Sequence, residues 1–306
     1  MKAGFVSLVG RPNAGKSTLL NRLVGEKIAI VSDKPQTTRS RILGVRTDPD
    51  AQVVYLDTPG IHRPLHRMNV QMVDAAVATL REVDVVGLVV DVGEPHGRGD
   101  RYVLDLVKDT RAPVFLILNK IDLVKKPKLL PIIERYSREG TFAEIVPVSA
   151  TTGVNVERLE ALIKSHLPEG EALYPADYLT DQPERLMASE IVREKLLQFT
   201  RAELPFSSAV VMDRFEEAPE GRLLRLYCSI LVDRESHKPI VLGAGGDMIK
   251  RIGIAAREEL ERFFGRRVHL DLHVRVKPEW RDDPRILGEL GIGEGRLRRR
   301  TEADPT

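Results

Sequence analysis

Hydrophobic positions in the first half of the chain fall in short, nearly unbroken runs: Phe5 to Val9, Val53 to Leu56, Val85 to Val90, Val114 to Leu118 and Ile145 to Val148. Runs rich in Val and Ile that do not alternate with polar residues suit strands covered on both faces, and the stretches between them carry a helical period. The pattern predicts an α/β domain with a doubly wound, mostly parallel sheet over residues 1–168. It then lapses. The stretch "LPEGEALYPADYLTDQPER", from Leu167 to Arg185, holds no period and reads as a linker, set at 169–186.

Beyond the linker the order of elements changes. A helix over Met187 to Ala202 precedes two β-like runs, Ser208 to Asp213 and Leu223 to Asp233. A glycine cluster, a helix from Asp247 to Phe264 and a strand from Val268 to Val276 follow. That last strand alternates apolar and polar residues, so one face is buried and one is wet. The order α-β-β-α-β predicts a separate α+β domain over 187–285, with a tail over 286–306. No repeat relates the two halves.

Composition narrows the setting. A chain of 306 residues suits two domains, and 42% hydrophobic with 30% charged residues is a globular balance that predicts folded structure nearly throughout. The lone Cys228 excludes an internal disulfide, and Met1-Lys2-Ala3 leads into a strand pattern instead of a secretory apolar region, so a cytoplasmic protein is expected. No apolar stretch approaches the roughly 18 residues needed to span a bilayer, which leaves surface association open. The net charge of +2 says little about partners. Locally, four cations in Arg296-Leu-Arg-Arg-Arg300 suit either a solvated tail or a nucleic-acid contact.

The first chemical signal is Gly10-Arg-Pro-Asn-Ala-Gly-Lys-Ser17, which fits G-x-x-x-x-G-K-[ST] between a strand and a helix. Gly10 and Gly15 let the backbone approach phosphate, the amides around Asn13, Ala14 and the helix start cradle phosphate oxygens, and Lys16 adds a cation. Ser17 offers a hydroxyl to Mg²⁺, and Thr18 completes the set facing the nucleotide.

Three further stretches select the nucleotide. Asp57-Thr-Pro-Gly60 ends a strand, where the carboxylate can join the Mg²⁺ shell and the Gly60 amide can approach the γ-phosphate. Asn119-Lys-Ile-Asp122 also ends a strand. Guanine presents two adjacent N–H donors, which an ionised Asp122 accepts in bidentate fashion, whereas adenine leaves that carboxylate unpaired. Lys120 can lie along the base and Asn119 can brace neighbouring loops. Ser149-Ala150 would offer a backbone N–H to the guanine carbonyl. Alone, the stretch 119–122 also suits a helix N-cap, but four motifs at strand ends in this order describe a GTP/GDP site.

In the second domain, "VLGAGGDMIKRIG" from Val241 to Gly253 fails the dinucleotide fingerprint, because its glycine spacing is wrong and the surrounding order is α+β. It also lacks the Gly-Lys-[ST] of a second phosphate loop. It fits [IL]-G-x-x-G-x-x-I-x-x-I of a type II K-homology (KH) domain, in which Gly243, Ala244, Gly245 and Gly246 clamp single-stranded backbone. Ile249 and Ile252 would pack inward, leaving Lys250 and Arg251 for phosphate. Ala244 stands where a loop lysine would add charge. With 5% aromatic residues, base recognition is expected to rely on hydrogen bonds and apolar contacts.

The four nucleotide motifs resemble those of the translation-factor-related GTPases. Pro35-Gln-Thr-Thr-Arg39, the linker stretch into "RLMASEIVREKL" and the second domain narrow the resemblance to the Era family of GTPases. That resemblance implies a GTP-hydrolysing switch that binds 16S rRNA and acts in assembly of the small (30S) ribosomal subunit, as a monomer. It leaves room for peripheral contact with the inner face of the cell membrane as well, and the alternative function is a membrane-surface signalling or cell-cycle GTPase whose second domain binds protein or lipid. By the same resemblance Thr38 binds Mg²⁺ when GTP is present, Lys16, Thr38 and Gly60 form the catalytic set, and Asn13 holds K⁺, although turn geometry accounts for Asn13 equally well. Ile61 stands where Ras-like enzymes carry a water-orienting glutamine. Slow intrinsic hydrolysis is expected.

Overall fold

The computed structural model describes residues 1–34, 36–61, 67–200, 204–219 and 221–292. In the first domain β1 (Lys2–Val9), β3 (Ala51–Asp57), β4 (Val85–Asp91), β5 (Val114–Asn119) and β6 (Glu144–Pro147) are parallel, in a sheet of order β2-β3-β1-β4-β5-β6. The edge strand β2 (Ile42–Thr47) runs antiparallel to β3 through a tight turn in which the Asp48 amide donates to the Ala51 carbonyl. Every residue of β3 is buried, the physical origin of a run without alternation.

Helices cover both faces. Leu19, Leu20 and Leu23 of α1 (Lys16–Val24) and Leu159 and Ile163 of α5 (Val156–His166) share a core with Phe115 and Ile117. The opposite face holds Ala76 of α2 (Arg67–Thr79), Val103 and Leu104 of α3 (Arg98–Lys108) and Tyr136 of α4 (Leu129–Glu139), packed with Leu116 and Leu118. Successive residues of β5 thus serve opposite cores.

The linker is fastened to the sheet despite its lack of period. Fully buried Gln52 accepts from the amides of Leu173 (2.6 Å) and Tyr174 (2.9 Å) and donates to the Tyr174 carbonyl (2.8 Å). Farther on, the Val45 amide donates to Leu179 O and the Thr180 hydroxyl to Leu43 O.

The second domain comprises α6 (Glu184–Phe199), α7 (Leu204–Ser207), β7 (Ser208–Glu217), β8 (Leu223–Val232), α8 (Lys238–Leu242), α9 (Asp247–Phe264), β9 (Arg267–Val276) and α10 (Pro284–Glu289). Its sheet is β7-β8-β9, with β7 and β8 antiparallel and β8 and β9 parallel. Ile191 and Leu196 of α6 and Ile252, Ala256 and Leu260 of α9 pack on Leu226 and Ile230 of β8. Ile249, expected inside beside Ile252, is only half-buried, because the inward stripe of α9 runs through 252, 256 and 260.

Two boundaries shift. α6 begins inside the span assigned to the linker. Residues 286–292, expected to open the tail, instead complete α10 and the turn after it, with Leu287, Leu290 and Ile292 buried beside Trp280. Met68 and Met72 of α2 join that same cluster, which therefore bridges the two domains. The arginine cluster 296–300 lies outside the described residues.

Candidate functional site

The phosphate loop lies between the end of β1 and the start of α1. Gly15 has φ 89°, and a Cβ there would fall 2.3 Å from Asn119 Nδ2. That closeness has a purpose: Asn119 donates to the Ala14 carbonyl at 2.9 Å and accepts from the Ala150 amide at 3.0 Å, joining three motif segments. Lys16 is buried, and its ammonium donates to the carbonyls of Gly10 and Arg11. Burial lowers its pKa, against the opposing charge of Asp57.

Three oxygens converge at the start of α1. The Ser17 hydroxyl donates to Asp57 Oδ2 at 2.6 Å, the Thr38 hydroxyl does so at 3.2 Å, and the two hydroxyls lie 2.7 Å apart. Burial pushes the Asp57 carboxyl upward, while Lys16 and the two hydroxyls pull it down. Asp57 Oδ1 is buried without a hydrogen-bond partner among the described residues. A cluster of hard oxygens with an unsatisfied carboxylate atom fits Mg²⁺, which would keep Asp57 ionised, while phosphate would keep Lys16 charged.

A cavity of about 740 Å³ opens beside this cluster, lined by the phosphate loop together with Thr18, Thr38, Gly60 and Lys120. Gly60 packs so closely that an added Cβ would lie 2.7 Å from Pro12 Cα. Ile61 turns away, being 1% exposed in the core with Leu88 and Val90, and its amide donates to the Gly10 carbonyl. Asn13, with φ 63°, donates to the Asp33 carbonyl and so ties the phosphate loop to the segment leading to Thr38.

At the base end, Asp122 is exposed in a short turn after β5, and the Lys120 ammonium is 2.6 Å from Asp91. Asp91 was not foreseen, although it ends β4 as Asn119 ends β5. The Ser149 amide donates to Val154 O and the Ala150 amide to Asn119. A guanine carbonyl must therefore compete for these amides in this conformation. A second unforeseen pair is Arg11 with Asp100 of α3, 2.9 Å apart.

The segment around Thr38 is held from the second domain. The Val31 amide donates to Glu194 Oε1 at 2.8 Å, Lys27 pairs with Glu194 and Glu259, the Thr37 carbonyl accepts from Arg193, and Arg39 donates to the Ser208 carbonyl at 3.0 Å. Arg39 is buried beside Arg193, and desolvation followed by that neighbouring charge pushes its pKa down to about 9. The signal available in the sequence was a run of charges, Arg193-Glu-Lys195, between the apolar pairs Ile191-Val192 and Leu196-Leu197. Such runs are ordinarily solvated.

The second candidate interface is the turn between α8 and α9. Gly243, Gly245 and Gly246 all have positive φ, and a Cβ on Gly243 would lie 2.7 Å from the Met248 amide nitrogen. Ala244, Gly245 and Lys250 are exposed, while the exposed Arg251 lies with its guanidinium 4.9 Å from the Phe199 ring. Among the described residues no helix is long and apolar enough to cross a membrane.

Comparison with known proteins agrees with both halves. The family described as 50S ribosome-binding GTPase matches residues 5–120, and that described as KH domain matches residues 203–281. GTPase Era of Geobacter metallireducens is 48% identical over 290 residues, covering 95% of this chain and 97% of the relative. The crystal structure of a tyrosine-to-alanine variant of Aquifex aeolicus Era bound to GDP·AlF4⁻ superposes with a TM-score of 0.92 at 42% identity, covering 96% of this chain and all of that one. The crystal structure of Era in complex with MgGDPNP and nucleotides 1506–1542 of 16S ribosomal RNA gives the same TM-score, identity and coverage.

Proposed function

Because this chain belongs to the Era family of GTPases, we propose that it is a GTP-hydrolysing switch that binds 16S rRNA through its KH domain. It acts in the cytoplasm during biogenesis of the small ribosomal subunit. The observation that carries the enzymatic half is the convergence of Ser17, Thr38 and Asp57 beside buried Lys16, with one carboxylate oxygen unsatisfied. The Era relative bound to nucleotides 1506–1542 favours RNA over the membrane-surface alternative as the second domain's partner.

In this reading Lys16 and the amides at the start of α1 bind the phosphates, and Asp122 selects guanine. Ser17, Thr38 and Asp57 would hold Mg²⁺, which when bound would supply positive charge against that of the phosphates. Thr38 can join only when its segment lies as it does here, so this residue distinguishes the triphosphate state. Ile61 is buried in the core and its amide is held by the Gly10 carbonyl, so neither is available to orient an attacking water, and slow intrinsic hydrolysis is expected. With its amide nitrogen held by Asp33, Asn13 has its side-chain oxygen left for a potassium ion beside the phosphates, and faster turnover in K⁺ than in Na⁺ is the expected sign of it.

The direct test combines two substitutions with one binding assay. Lys16→Ala should abolish GTP binding or weaken it severely, and Asp122→Asn should shift preference from guanine toward xanthine nucleotides. RNA spanning nucleotides 1506–1542 should bind the wild-type chain with an affinity that differs between a GTP analogue and GDP. Equal affinity in all nucleotide states would refute the switch.

A further inference from the structure

The geometry points to Arg193 as a positioning residue for GTP hydrolysis: a side chain of the second domain that holds the Thr37 carbonyl and thereby keeps the Thr38 hydroxyl in the metal site. The inference rests on the GTPase reading above and assigns part of that site to the other domain.

Arg193 is 1% exposed, midway along α6. Its guanidinium is aligned by Glu190 one turn back, which accepts from Nε at 2.7 Å and from Nη2 at 2.5 Å. The same Nη2 donates to Thr37 O. A forked pair leaves the guanidinium little freedom, so the carbonyl it holds is fixed as well. Thr38 follows, with its hydroxyl on Ser17 and Asp57. Glu194, the next residue of α6, fixes the same segment upstream through the Val31 amide, and its other oxygen is held by Lys27 and Lys195. Two neighbouring side chains of one helix thus grip the segment at residues 31 and 37.

A carbonyl placed by a charged donor is a preorganised one. Without it the segment must be ordered when metal and nucleotide bind, and the loss of such a charge-assisted bond is worth about ten- to a hundredfold in an equilibrium. The loss falls on Mg²⁺-dependent steps that use Thr38. GDP binding, which draws on the phosphate loop and the base-reading turn, is spared. A merely structural arginine behaves otherwise, because removing it weakens folding and every ligand together.

The test uses the full chain carrying Arg193→Met, Arg193→Lys or Glu190→Gln. For each, the GTP turnover rate, the Mg²⁺ concentration at half-maximal rate, the affinity for fluorescent GDP and the melting temperature are measured. Arg193→Met should raise the half-saturating Mg²⁺ concentration and lower kcat, each about tenfold, with GDP affinity within about twofold of wild type. Arg193→Lys and Glu190→Gln should fall between. Unchanged turnover and Mg²⁺ dependence overturn the inference, as does a parallel fall of GDP affinity and melting temperature. A wild-type chain that fails to hydrolyse GTP removes the functional reading itself and this inference with it.

Discussion

The guanidinium of Arg39 stands over the ring of Trp280, 5.3 Å from its centroid, so a residue next to Thr38 rests on the only tryptophan of the chain. Trp280 is fully buried, donates to the Ser207 carbonyl and packs with Met68 and Met72 of α2. Trp280→Ala should therefore cost about 3–5 kcal/mol in denaturant unfolding. It should also loosen the segment before β2, read as faster amide exchange at residues 37–39. Retained protection there would mean that the tryptophan supports the second domain alone.

Acid should weaken Mg²⁺ binding earlier than an ordinary aspartate would predict. Burial raises the Asp57 carboxyl, whereas the metal requires it ionised, so protonation competes as pH falls through that raised value. Metal binding should release protons, detected by calorimetry in buffers of different ionisation enthalpy. In the nucleotide-free chain the sign reverses for stability: this carboxyl takes its proton before the unfolded chain does, so its contribution rises as pH falls.

Ile61→Val should cost about 0.5–1.5 kcal/mol of stability and leave turnover within a few-fold of wild type, because the side chain lies in the core and not in the cavity. A drop in kcat above about a hundredfold would mean that this position acts directly on the reaction.

Installing lysine at Ala244 should tighten RNA binding and steepen its salt dependence by about one in log-log slope. The residue is exposed between glycines that meet nothing within 4 Å of an added Cβ on the side of 245 and 246. Filter binding across a salt series measures the slope, and an unchanged slope places the loop away from the RNA backbone.

The phosphate loop and the strand-end motifs were legible because each demands one residue type at one spacing; Gly15 has its space fixed by Asn119, a residue over 100 positions away. The parallel strands were legible because both of their faces are covered. Strand β2 was not, since only Ile42, Leu43 and Val45 break a polar stretch. The α10 segment was missed for a similar reason: its apolar residues are few and the neighbouring arginines dominate the reading. The grip of α6 on the Thr38 segment stayed hidden because a charge run says nothing about its partners. Arg193 and Glu194 are buried where they meet residues 27–37 of the first domain, a contact far away in sequence.

The linker's bonds to Leu43 and Val45 fall on the outermost strand of the sheet. Those bonds occupy backbone groups that would otherwise be free to recruit a strand from another molecule. A chain cut at residue 168 would keep every nucleotide motif yet expose that edge and empty the space around Gln52. One cut after Asp181 would keep both covered. The choice of cut, more than the loss of the second domain, would then decide whether the isolated first domain stays in solution or self-associates.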